Sequence, residues 1–184
     1  MIDFRTDLAD ERRDMYRKAN KLEDEIPGIE TESFEVGKNI KTSKVKILNE
    51  EGESALGKPK GMYITIDVKN LKIAQEEDIG KAAEVVTNEL KELISSHIGK
   101  EDDILVVGLG NAYVTPDSLG PKVISYIDVT RHLLKYAPQY LEEGTRPVSA
   151  ISPGVLGTTG IETLEIIKGI VDNIHPKLVV VIDA

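Results

Sequence analysis

Three short predicted strands in the second half of the chain, Ile104 to Val107, Val148 to Ile151 and Leu178 to Ile182, constrain the fold more than any other feature. Two of them are rich in β-branched residues and show no polar alternation, the pattern of strands covered by helices on both faces. The stretches between them each have room for a crossover helix, predicted from about Leu119 to Leu134 and from about Gly160 to Ile174. Strands alternating with helices in this way build a mostly parallel α/β sheet with right-handed crossovers. A long amphipathic helix precedes the first run. Its residues Ile79, Ala83, Val86, Leu90, Leu93 and Ile94 share one face, predicted to be the buried one, and Glu76, Glu77 and Asp78 suit the positive end of its dipole.

The front of the chain is different. Residues 1–35 carry 17 charged side chains, 11 acidic and six basic, whereas residues 104–184 carry 14 in more than twice the length. A helix from Ala9 to Asp24 has only the thin stripe of Leu8, Arg12, Met15, Ala19 and Leu22 among charges, and Ile26-Pro27-Gly28 ends it. Phe34 to Val36, Ser43 to Leu48 and Met62 to Ile66 are predicted strands of a small antiparallel meander. The expected organisation is a charged arm over residues 8–32 followed by one α/β domain over 33–184.

Composition removes several function classes. The 184 residues include no cysteine, which excludes disulfides and cysteine-ligated metal. A net charge of −9 argues against nucleic-acid binding, which needs a basic stripe to displace phosphate counterions. No apolar run approaches the roughly 18 residues of a membrane span. The start, MIDFRTDLADERR, lacks the apolar stretch of a signal peptide, so a cytoplasmic location is expected.

In an open parallel sheet, ligands bind outside the carboxyl ends of the strands. Three segments converge there. The loop after the first run contains Gly108, Gly110 and Asn111, and Asp117 beyond them either caps the next helix or projects a carboxylate into the cleft. It lacks both the third glycine of a dinucleotide fingerprint and the lysine of a P-loop. The loop after the second run contains Gly154 and Gly157 with several hydroxyls. It is either a tight βα loop capped by Thr158 or Thr159, or a wall whose amides face a substrate. The third run ends at Asp183, an acid with little structural reason to follow a buried strand. Two carboxylates at neighbouring strand ends can share a proton, one activating water while the other polarises a carbonyl. His97, His132 and His175 have no ligand spacing, no HExxH is present, and no G-x-S-x-G surrounds Ser149 or Ser152. No metal or cofactor is expected.

Several stretches together, Arg5 to Ala9 (RTDLA), Val106 to Pro121 (VVGLGNAYVTPDSLGP), Thr130 to Leu133 (TRHL), Gly144 to Thr163 and Val179 to Ala184 (VVVIDA), resemble the germination proteases of spore-forming Firmicutes. The resemblance spans essentially the whole chain. It implies an atypical aspartic endopeptidase that degrades small acid-soluble spore proteins at germination in the spore core. It implies an α/β three-layer sandwich similar to the hydrogenase maturation endopeptidases, and a homo-tetramer. The family's two essential aspartates fall on Asp117 and Asp183. The RTDLA motif implies a zymogen that removes residues 1–7 itself, cutting between Asp7 and Leu8. Family chains are roughly twice as long and continue past the IDA motif, so an N-terminal half is expected, whose own activity the missing strands put in question. Two alternatives are a non-enzymatic α/β binding module and a metal-dependent endopeptidase of the maturation type.

Overall fold

The computed structural model describes residues 6–73 and 76–184. Most of the expected propeptide 1–7, with Arg5 of the RTDLA motif, lies outside them. The chain divides into two compact units, residues 1–91 and 92–184, the division falling within a long helix.

The first unit is built on the expected meander. Helix α1 (Ala9–Asn20) leads into strands β1 (Ile29–Val36) and β2 (Ile40–Ile47); helix α2 (Glu50–Leu56) leads into β3 (Gly61–Val68). The strands pair antiparallel in the order β1-β2-β3, with Ile29 opposite Ile47 and Ile40 opposite Val68. Each strand is longer than its apolar pattern predicts, because charged residues outside the expected spans, such as Lys41 and Asp67, also face each other across the sheet. Successive side chains of β2 point to opposite faces. Val45 and Ile47 pack with Ala9, Ile26, Ile29, Ala55 and Leu56, while Ile40 packs with Ala82 and Val85. The segment expected to be a charged arm therefore supplies core residues: Ala9, Ile26 and Ile29 are all buried, and the expected boundary at residue 32 falls inside β1. Helix α2 has too few apolar residues to show a period. Its signals are the caps, the Asn49 side chain accepting from the Gly52 N–H at 3.1 Å and Gly57 closing the last turn at φ +63°.

Helix α3 (Glu76–His97) forms as expected but buries a different stripe. Ala82, Val85 and Glu89 are its buried residues, whereas Ile79, Val86 and Leu90, expected in the core, are exposed. The reason lies on β2. Lys44 Nζ lies 2.7 Å from Glu89 Oε2 with both side chains largely out of water, an ion pair that requires this face to turn inward.

In the second unit, β4 (Ile104–Gly108), β5 (Val148–Ile151) and β6 (Leu178–Ile182) form a parallel sheet in the order β5-β4-β6. Val107 pairs with both Ile151 and Val181. The architecture is thus α/β with an added antiparallel meander. Every residue of β4 is buried, as the unbroken apolar run requires. The single helix expected over residues 119–134 is instead two, α4 (Leu119–Ile124) and α5 (Arg131–Tyr136). Thr130 explains the break. Its N–H donates to the Val148 carbonyl at 3.0 Å, its hydroxyl accepts from the Val148 N–H at 2.9 Å, and the hydroxyl also donates to the Arg146 carbonyl. Pairing with the sheet outweighs helix continuation here. The last crossover is the short α6 (Leu156–Thr159) followed by α7 (Thr163–Ile174). Among the described residues no helix is long and apolar enough to cross a membrane.

One ion pair in the first unit makes stability depend on pH. Arg13 donates to both Glu25 oxygens at 2.9–3.1 Å, and Thr31 donates to the same carboxylate at 2.9 Å. Burial works against the Glu25 carboxylate, but hydrogen bonds from Arg13, the Ile26 N–H and Thr31 outweigh it and hold its carboxyl below the ordinary 4.5. As pH falls below 4.5 the unfolded chain takes up this proton first, so the contribution is present above that pH and fades through the folded value. Glu25→Gln is expected to give a shallower loss of stability below pH 4.5 than the parent, measured by urea unfolding across an acid series.

Candidate active site

The carboxyl end of β4 organises the site through its backbone. Leu109 donates its N–H to the Ile182 carbonyl at 2.8 Å, and two residues later Asn111 donates to the Asp117 carbonyl at 2.9 Å. One short segment thereby holds both the turn that carries Asp117 and the residue immediately before Asp183. Asn111 also accepts from the Tyr113 N–H through Oδ1 at 2.9 Å and from the Val114 N–H through its carbonyl at 3.1 Å, which folds the loop back toward β4.

Asp117 ends a 3₁₀ turn, Thr115–Asp117, and does not cap α4. Ser118 holds the N-cap position; it is buried, and its hydroxyl donates back to the Thr115 carbonyl at 2.9 Å. Among the described residues the half-buried Asp117 carboxylate accepts no hydrogen bond. Asp183 follows β6, exposed, with Oδ1 accepting from the Ala184 N–H at 2.9 Å.

The glycines sort into distinct roles. A Cβ on Gly108 would lie 2.3 Å from the Gly120 carbonyl oxygen, and one on Gly120 would lie 2.2 Å from the Leu109 oxygen and 2.6 Å from the Ile182 oxygen. Gly110 has φ +113°, and the Asp117 carbonyl oxygen sits 2.1 Å from where its Cβ would be. Gly108, Gly110 and Asn111 thus belong with Asp117 and the end of β6. Gly154 and Gly157 lie in the segment after β5, on the other flank of β4. Gly154 adopts φ +78°, while a Cβ at Gly157 meets nothing within 4 Å. Neither Thr158 nor Thr159 caps α7: both hydroxyls donate to the Val155 carbonyl, and Glu162 holds the N-cap position. Asp7 and Leu8 belong to the first unit, Leu8 being the N-cap residue of α1.

Gly120 and Thr130 escape sequence reasoning because their roles are contacts with distant strands. The only local signal at Gly120 is a glycine beside proline at the start of a helix. The histidines take structural or surface positions. His97 Nδ1 lies 2.7 Å from the Leu93 carbonyl oxygen, His175 closes α7 in the left-handed region, and His132 is exposed. Among the described residues no three His, Cys, Asp or Glu side chains gather as a metal-binding group.

A model of the family described as germination protease matches residues 6–184. The chain belongs to the germination protease family. The germination proteases of Clostridium acetobutylicum and Caldanaerobacter subterraneus subsp. tengcongensis are 48% and 50% identical to it over 185 residues, covering 100% of this chain and 56% and 54% of the relatives. That of Oceanobacillus iheyensis is 45% identical, covering 98% of this chain and 50% of the relative. The chain thus spans about half the length of the curated relatives it matches. The family resemblance read from the motifs holds.

In this germination protease homologue the crowded glycines are structural. Gly120→Ala must push α4 away from the junction of β4 and β6, since the obstructing atoms are backbone, and is expected to cost about 3 kcal/mol. Gly157→Ala meets open space within a helix and is expected to change stability by less than about 1 kcal/mol. Urea midpoints of the two variants check the contrast.

Proposed function

We propose that this chain carries the catalytic acids of an endopeptidase in which Asp117 and Asp183 activate a water molecule for attack on a peptide carbonyl. The supporting observation is the Asp117 carboxylate, engaged in no cap, on the same loop whose amide holds Ile182 next to Asp183. One carboxylate takes the proton from water as the bond to the carbonyl carbon forms, and the other, protonated, donates to the carbonyl oxygen. The proton then passes to the leaving amine as the C–N bond breaks. Amides of Gly154 and Gly157 in the loop after β5 would add hydrogen bonds to the developing oxyanion.

The family membership supports small acid-soluble spore proteins as the substrate, the spore core as the site of action and a tetramer as the working assembly. The parallel order β5-β4-β6 supports a three-layer sandwich like that of the hydrogenase maturation endopeptidases. The same membership supports self-removal of residues 1–7. Leu8 has extended backbone, φ −74° and ψ 129°, and begins α1 rather than lying inside it. Cleavage at Asp7-Leu8 would leave the helix and its buried Ala9 in place.

Asp117→Asn and Asp183→Asn are each expected to lower cleavage of a small acid-soluble spore protein on the order of a thousand-fold while leaving the thermal unfolding midpoint nearly unchanged. The assay uses a chain of the relatives' full length and this chain in parallel. Near-normal turnover in either variant overturns the assignment. Intact mass gives the second check: a loss equal to residues 1–7 appears in the active protein and is absent from both variants.

A further inference from the structure

We propose that the open edge of β5, with the basic groove beside it, binds an acidic, extended polypeptide by strand addition. This rests on the proteolytic reading, because it describes how a polypeptide substrate is held in the same unit as Asp117 and Asp183.

Among the described residues β5 is an edge strand, paired only with β4. The Ile104 N–H donates to the Pro147 carbonyl at 3.0 Å, so Pro147 faces β4, while the N–H and carbonyl of Val148 face away and are taken by Thr130. Backbone groups alternate sides along a strand, which places the N–H and carbonyl of Ala150 on the outer edge, in phase with Val148. Thr130 supplies the first step of a ladder there. At Arg131 the chain turns into α5 and leaves the edge, and among the described residues nothing continues the ladder at Ala150. An unpaired edge of this kind is a template for an added strand.

A cavity of about 600 Å³ lies beside this edge, lined by Val148, Ser149 and Ala150 on one side and by Arg131, His132 and Lys135 of α5 on the other. It has the room that a peptide side chain needs, and it is distinct from the crowded backbone around Asp117. Arg131 and Lys135 make it locally positive, although the whole chain carries −9. Among the described residues the one acid lining it is Asp103, whose Oδ2 is 3.7 Å from Arg131 Nε, a long and solvent-exposed pair that leaves the guanidinium available. On a chain of net charge −9, a locally positive groove favours an acidic segment over a basic one, and the unpaired edge at Ala150 supplies the place of binding. The edge runs toward the carboxyl end of the sheet. A strand paired at Ala150 therefore leads to the loop of Gly154 and Gly157 and to the same end of the sheet as the two aspartates.

The test is fluorescence anisotropy of a labelled short peptide alternating Glu and Val, which places every Glu on one face of the strand. A Lys and Val counterpart serves as control. The Glu peptide is expected to bind saturably and the Lys peptide not at all. Ala150→Pro removes the outward N–H at a position where an edge strand tolerates proline, and should weaken binding about ten-fold. Arg131→Glu with Lys135→Glu, two exposed positions, should weaken it at least as much without loss of folding. No binding of the Glu peptide, or unchanged binding in either folded variant, overturns the proposal. The readout does not pass through Asp117 or Asp183. Binding by a chain of the relatives' full length that shows no turnover upholds the groove and counts against the proteolytic reading, and proteolysis without binding does the reverse.

Discussion

The contact on which the second unit depends is made by backbone alone: Leu109 N–H to the Ile182 carbonyl, with Gly120 pressed against both strands. No side chain could occupy that junction, so α4 crosses the end of the sheet as closely as two backbones allow. The consequence is geometric. β4 is buried throughout, β5 and β6 flank it, and the acid after β6 is set relative to the turn carrying Asp117 by hydrogen bonds that involve neither carboxylate. Carboxylates left out of the scaffold remain available for chemistry, and replacing them costs the scaffold little.

How much of this was legible depends on whether a feature is local. The strands Ile104–Gly108, Val148–Ile151 and Leu178–Ile182 follow from largely apolar runs bounded by glycine, proline, serine or charged residues, and their observed limits differ from expectation by one residue at most. The meander was legible as three strands but too short, since alternating Glu and Lys conceal strand residues from an apolar pattern. Helix α3 shows the sharper limit. Periodicity identifies the helix, yet two apolar stripes exist, and small Ala82 and Val85 win over bulkier Ile79, Val86 and Leu90 because Glu89 must meet Lys44. That choice is made by a strand some forty residues away in the chain. The break at Thr130 is of the same kind, a local helical pattern overruled by pairing with β5.

The candidate acids were legible by a rule about sheets, not by their neighbours. Cap preference at Asp117 pointed toward a helix cap, and only the structure shows that Ser118 takes that place, with its hydroxyl turned back to Thr115. Gly108 and Gly110 were visible as glycines after a strand; Gly120 was not, because its partner atoms come from Leu109 and Ile182. A glycine with a positive φ can be guessed from a turn pattern, whereas one required by close approach of distant backbone cannot.

The surroundings of Asp117 bear on how such a site would work. Tyr113 is 95% exposed, and Val114 and Leu119 are about half exposed, so an apolar rim borders an acid that water still reaches. Buried catalytic carboxylates gain electrostatic strength from a dry interior; here the described residues do not provide it. On the proposed reading a polypeptide laid across the rim removes that water itself, covering the apolar side chains and strengthening every polar contact near Asp117 at the same step. Burial of the rim would then help hold the substrate, and dehydration of the acid would accompany binding instead of preceding it. An extended chain satisfies both demands better than a small ligand does, since it can span from an edge strand to the loops at the sheet's carboxyl end while its backbone remains hydrogen-bonded.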